Sequence, residues 1–130
     1  MATDRTHPGL KVTEAQWMAQ VIELAELHSW RVMHVRPAIA RQSARHGTKW
    51  VTATSVTGWV DLTLWHPTAG GVIFAELKTD RGRLTREQAD VIDSLRGSGQ
   101  EVHVWRPRDF DAVHERLTRH RPHLEATRAL

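Results

Sequence analysis

Cysteine does not occur in this sequence. Its absence excludes disulfide scaffolding, thiolate metal sites and a cysteine nucleophile together, so any metal must be held by carboxylate, imidazole or carbonyl groups. Long apolar runs are missing as well. No stretch approaches the roughly 20 residues needed to cross a bilayer, and Met1-Ala2-Thr3-Asp4-Arg5 lacks the charged-then-apolar layout of a secretory signal. No membrane partner is expected, and a cytoplasmic location is the default. Acidic residues are missing from one long segment: between Arg31 and Val60 the chain carries Arg31, Arg36, Arg41, Arg45 and Lys49 and no Asp or Glu. Such a one-signed stretch suits phosphate contacts, and a plain solvated loop reads the same way.

What is present describes one compact α/β unit. The 130 residues suffice for one domain with a core and leave little room for a second. Residues 12–121 are expected to form it, with 1–11 as a flexible N-terminal tail and 122–130 as a C-terminal tail. Hydrophobic residues make up 40% and charged residues 25%, which is ordinary for a folded protein. A net charge of +3 and a pI near 10.2 lean toward an anionic partner without selecting one.

Thr13-Glu14-Ala15-Gln16 is a capping box flanked by Val12 and Trp17 as a hydrophobic staple. Trp17, Val21 and Leu24, with Met18, Ile22 and Ala25, continue it at helical spacing to about His28. Arg31 to Arg36 reads as a strand stopped by Pro37. Residues 37–57 are polar and basic and read as a loop, with a short helix over 38–45 as the alternative. Trp59 to Trp65 alternates, with Val60, Leu62 and Leu64 on one face and Trp59, Asp61, Thr63 and Trp65 on the other. Pro67 and Gly70-Gly71 then mark a turn into a second strand, Val72 to Lys78, so the two should form a hairpin. Thr85-Arg86-Glu87-Gln88 is a second capping box, and Leu84, Gln88, Val91, Ile92 and Leu95 form a helical stripe that ends before Gly97. Glu101 to Trp105 is a further strand, and a last helix should run from about Arg108 or Asp109 to His120. The expected fold is a mixed central sheet flanked by helices.

Polar residues stand where a strand should bury apolar ones. In Val72-Ile73-Phe74-Ala75-Glu76-Leu77-Lys78, alternation puts Glu76 and Lys78 on one face, and pairing with the preceding strand brings Asp61 beside them. Two adjacent carboxylates repel and cost desolvation energy unless a cation lies between them. Hard oxygen ligands favour Mg2+ or Mn2+. Such an ion beside a lysine is the equipment for hydrolysing a phosphodiester. A lone Glu-x-Lys is as readily a surface ion pair, and Asp61 is what tilts the reading toward chemistry.

Gly58-Trp59-Val60-Asp61-Leu62, the Val72–Lys78 strand, Gly82-Arg83-Leu84-Thr85 through Gln88, and Glu101 to Pro107 together resemble the VRR-NUC domain of the PD-(D/E)XK nuclease superfamily. The resemblance implies a restriction-endonuclease-like core and a metal-dependent endodeoxyribonuclease. It implies a divalent metal, Mg2+ or Mn2+, held by Asp61 and Glu76 with the backbone carbonyl of Leu77, and Lys78 as the catalytic lysine. It also implies roles for Glu14, as a further carboxylate acting on the metal through water, and for Gln88. On the residues alone, Glu14 suits the helix dipole of a first turn and shares a face that should point toward the sheet, while Gln88 completes its capping box and interrupts an apolar stripe. DNA is the implied partner, with no nucleotide cofactor. Stand-alone members of the family resemble Holliday-junction resolvases acting as homodimers, so branched DNA and a homodimer are the finer expectation. A general DNA endonuclease, or a silent nucleic-acid-binding module on the same fold, is the alternative.

Other candidates carry weaker signals. Arg36, Arg41, Arg45, Lys49, Arg81 and Arg83 are the expected DNA contacts, by charge or by nearness to Lys78. Nine histidines show no close metal-ligand spacing, and His114 and His120 should be surface residues. Of six tryptophans, Trp17 and Trp105 should be core, while Trp59 or Trp65 is placed to meet substrate.

Overall fold

The capping box at Thr13 does start the first helix. Thr13 Oγ1 accepts from Gln16 N, and Gln16 Oε1 accepts from Thr13 N. α1 then runs Glu14–Leu27. The computed structural model describes residues 11–35, 39–44, 47–52 and 55–119, the segments 39–44 and 47–52 through their backbone only. The expected tails, apart from Lys11, and His120 lie outside the described residues.

The remaining elements are β1 Arg31–His34, β2 Ile39–Ala44, β3 Gly47–Thr52, β4 Leu62–Trp65, β5 Val72–Leu77, α2 Arg86–Gly97, β6 Glu101–Trp105 and α3 Phe110–Thr118. A 3-10 turn, Pro107–Asp109, leads into α3. The main sheet has the order β1-β4-β5-β6. β1, β4 and β5 pair antiparallel, whereas β5 and β6 pair parallel. A parallel neighbour requires a crossover, and α2 is that crossover. This mixed α/β core is consistent with the restriction-endonuclease-like fold that the resemblance implies.

One face of the sheet packs on α1 and α3. Trp17, Val21, Ala25 and Trp30 meet Leu62, Leu64, Ile73, Ala75, Leu77, Trp105, Val113 and Leu117 there. The other face carries a smaller cluster of Val60, Ile92 and Val102, with Trp59, Phe74, Leu84, Leu95 and Val104 against it. The larger cluster is tied by two indoles. Trp17 Nε1 donates to Trp105 O at 2.9 Å, and Trp30 Nε1 donates to Leu117 O at 2.8 Å. Each satisfies a polar group that would otherwise be buried unpaired.

Three expectations need correction. The segment read as a loop or short helix contains an antiparallel pair, with Arg41 opposite Trp50 and Gln42 opposite Lys49. The strand expected from Trp59 begins only at Leu62. Val60 therefore does not share a face with Leu62 and Leu64: it packs on the α2 side and they pack on the α1 side. Gly58 causes the break. Its φ of +85° is accessible to glycine, and a Cβ there would lie 2.5 Å from the backbone carbon of Glu87. The chain must cross the first turn of α2 that closely before it can enter β4.

Candidate active site

The register of β4 on β5 pairs Leu62 with Ala75, so Asp61, one residue before β4, stands opposite Glu76. Asp61 does not join the ladder with its side chain free. Its Oδ2 accepts from Leu77 N at 2.8 Å, and its own carbonyl accepts from Val35 N at 3.0 Å. The aspartate is thus fixed by both neighbouring strands. Glu76 and Lys78 do point the same way, with Lys78 Nζ 3.7 Å from Glu76 Oε2. Lys78 N donates to Trp105 O at 3.1 Å. That same carbonyl accepts the indole of Trp17, so one main-chain oxygen ties the strand bearing Lys78 to the helix bearing Glu14.

Glu76 is 2% exposed, and its Oε1 has no hydrogen-bond partner in the described protein. A buried carboxylate oxygen left unpaired is expensive. The cost appears in its ionisation: burial, then the charge of Asp61, push Glu76 from 4.5 up to about 7, while Lys78 draws it down and Glu14 adds to the rise. Burial also raises Asp61, opposed first by the Leu77 N–H; Glu14 pushes in the same direction as burial, and Lys78 and His34 oppose it. Two carboxylates that each raise their proton affinity in one place are a site short of positive charge.

Do these residues fit a divalent ion? Among the described residues no three of His, Asp and Glu close to metal-ligand spacing. Two carboxylates do converge, one with an unclaimed oxygen. Mg2+ commonly takes one or two carboxylates and fills its remaining positions with water and substrate phosphate. The donor set therefore fits a hard divalent ion that the protein holds only partly. The Leu77 carbonyl lies between Glu76 and Lys78 on the same strand, at the sheet end where they meet.

The other expected residues divide. Glu14 is exposed in the first turn of α1, near enough to act electrostatically on both Asp61 and Glu76. A first-turn position beside the Thr13 cap lies at the helix rim, whatever stripe its spacing suggests. Gln88 is engaged in its capping box, its Oε1 accepting from Thr85 N at 2.9 Å and its N donating to Thr85 Oγ1 at 3.0 Å. Arg81 and Arg83 are exposed in the loop after Lys78. Arg41 and Lys49 lie on the paired segments β2 and β3, and Arg36 and Arg45 lie outside the described residues. Trp59 packs edge-to-face on Phe74, with ring centroids 6.1 Å apart. Trp65 is exposed opposite Val72, at the far end of β5 from Glu76. Trp65 therefore does not flank the carboxylates.

Two residues at the site escape sequence reasoning. His34, opposite Leu62 in the register, is close enough to Asp61 to act on its charge. Arg106 Nη1 donates to both Thr79 O and Gly82 O at 2.6 Å, clamping the loop that leaves Lys78. For Arg106 no periodic signal existed. His34 followed a strand's alternation, but its meeting with Asp61 depends on the order β1-β4, which periodicity does not give.

Comparison with known families matches residues 12–109 to the model of the VRR-NUC domain. No curated protein and no solved structure matches the chain.

Proposed function

Because that match spans most of the chain, the protein belongs to the VRR-NUC domain family, a nuclease domain of the restriction-endonuclease-like superfamily, and we propose that it is a divalent-metal-dependent endonuclease hydrolysing DNA phosphodiester bonds at Asp61, Glu76 and Lys78. The observation that carries this reading is the buried, unpaired Oε1 of Glu76 in a carboxylate on which the charge of Asp61 acts.

In this reading Asp61 and Glu76 hold Mg2+ or Mn2+, with the Leu77 carbonyl, and Glu14 acts from the rim through water. The bound ion supplies Lewis acidity toward a phosphate oxygen and makes water a better nucleophile near neutral pH. Asp61 keeps its orientation through the Leu77 N–H, which leaves its second oxygen for the site. Lys78 places a positive charge beside Glu76, where it orients the attacking water and offsets charge building on the phosphorus. The strand is fixed at Lys78 N and the loop beyond it at Arg106, so the amine is held before substrate arrives. Gln88 contributes by capping α2, against which Gly58 and the approach to Asp61 are packed. Arg36, Arg41, Arg45, Lys49, Arg81 and Arg83 draw the polyanion toward its carboxylates. The finer part of the proposal is a homodimer that prefers branched DNA, supported by the resemblance to stand-alone family members.

The test is cleavage of matched duplex, flap, single-stranded and four-way-junction DNA with Mg2+, with Mn2+ and with chelator. Cutting that needs the ion and favours the junction supports the full reading. Undiminished cutting in excess chelator overturns the metal assignment, and equal rates on all four overturn the junction preference.

A further inference from the structure

Where the chain runs on from Lys78 lies a cavity of about 540 Å3 that the hydrolytic step does not use. Its walls come from the two segments next to the site. Lys11 and Val12 precede Glu14, while Thr79, Asp80 and Arg81 directly follow Lys78, and Pro107 closes the remaining side. The volume falls in the range of small-molecule sites, about 300–1,000 Å3. With residues spaced about 3.3 Å along an extended chain, the cavity begins within a few residues' length of Lys78.

The wall is built before any ligand comes. Arg106 Nη1 holds Thr79 O and Gly82 O, Arg108 N donates to Asp80 Oδ1 at 2.9 Å, and Arg108 Nη1 donates to Asp80 O at 3.2 Å. Four main-chain and side-chain oxygens of a surface loop are thereby committed to the segment after β6. Loops left to solvent are rarely tied this way, and prior ordering lowers the entropy cost of binding. The chemistry of the lining is mixed in a particular manner. Val12 and Pro107 give apolar surface, Lys11 and Arg81 give exposed cations, and Asp80 gives a carboxylate whose Oδ1 is held by Arg108 N. Apolar walls with one carboxylate acceptor and flanking cations are what a nucleotide asks for: surface for the base, an acceptor for a base amino group, and charge for its phosphates.

We propose that this cavity is a nucleotide subsite, which receives one base of the substrate strand, drawn out of its stack, next to the phosphate to be cut. The inference rests on the nuclease reading and deepens it. Unstacking costs least where the base is already unpaired, so the subsite gives the enzyme a preference for DNA with unpaired nucleotides at the cleavage point. Asp80 selects for bases carrying an amino group, cytosine among them.

The experiment uses the full chain and two DNA series. In the first, 2-aminopurine replaces each base flanking the mapped cut in turn, and its fluorescence reports departure from the stack. In the second, cytosine at the responding position is replaced by an abasic unit, and affinity is measured for wild type and for Asp80→Asn, which keeps the oxygen that Arg108 N needs. A fluorescence rise at one flanking position, about tenfold weaker binding of the abasic DNA by wild type, and a base-to-abasic ratio falling toward one in Asp80→Asn are expected. Cleavage with no fluorescence rise at any position and equal affinity for cytosine and abasic DNA overturns the subsite alone. Absence of cleavage on every DNA overturns the nuclease reading and the subsite with it. The wild-type arm decides even if the variant fails to fold.

Discussion

Replacing Glu76 with Gln should make the metal-free protein more stable above neutral pH while destroying its activity. Glu76 is nearly inaccessible, one oxygen is unpaired, and Asp61 and Glu14 face it against the single charge of Lys78. A carboxyl whose affinity for its proton rises on folding holds that proton better folded than unfolded. Stability contributed by the proton is therefore complete below 4.5 and is lost as pH rises through about 7. The interval from 4.5 to about 7, at about 1.36 kcal/mol per pH unit, corresponds to about 3 kcal/mol. For a domain of this size that is roughly 10 °C in Tm, taking about 3–5 °C per kcal/mol. Thermal unfolding in chelator from pH 4.5 to 8.5 checks it. The difference between wild type and Glu76→Gln isolates this group from every other ionisable one. Wild type should lose ground to the variant as pH rises and recover it when millimolar Mg2+ is added, since an ion that binds only the folded state stabilises it. The variant should show little gain from the ion. A difference independent of pH, or a variant less stable than wild type at pH 8 in chelator, would refute the reasoning.

Lys78→Ala should cut turnover at least about 100-fold while DNA affinity stays within about twofold, because one cation among many adds little to phosphate attraction; single-turnover rates with measured Kd decide this, and near wild-type cleavage removes the lysine's role. Asp61→Asn keeps an acceptor for the Leu77 N–H, so it should fold normally and bind Mg2+ at least tenfold more weakly in a calorimetric titration. Gly58→Ala should destabilise by more than about 2 kcal/mol, since it sets a side chain at φ +85° against the backbone of Glu87; an unchanged urea midpoint would contradict the close approach. Neutralising Arg41, Arg45 and Lys49 together should flatten the log–log salt dependence of binding by roughly 0.9 per lost phosphate contact and weaken all DNA substrates alike; an unchanged slope moves the binding surface elsewhere.

The sequence was informative where local rules and burial agree. Both capping boxes formed as the spacing of Thr13 with Gln16 and Thr85 with Gln88 implied, because their hydrogen bonds join residues three apart. Asp61, Glu76 and Lys78 were legible because charge interrupts strands that otherwise alternate. Ile39–Ala44 and Gly47–Thr52 were not, since their polar residues give no contrast between faces, although Thr48, Val51 and Thr52 carry strand propensity. Val60 continued the alternation of Leu62 and Leu64 yet packs on the opposite side, a reversal set by Gly58 meeting α2 across long sequence distance. Arg106 was silent for the same reason: it reaches its two acceptors, Thr79 and Gly82, only after β5 and β6 pair.

The carbonyl of Trp105 that receives both the Trp17 indole and the Lys78 amide sits late in the chain. During synthesis, Glu14, Asp61, Glu76 and Lys78 leave the ribosome well before it does. A nascent chain that already contains all four lacks the carbonyl that joins α1 to Lys78 until β6 emerges, and Trp30 waits longer still for Leu117. The protein should therefore stay inert through most of its translation. A chain stopped before Trp105 would bear Glu14, Asp61, Glu76 and Lys78 and still lack the cutting edge.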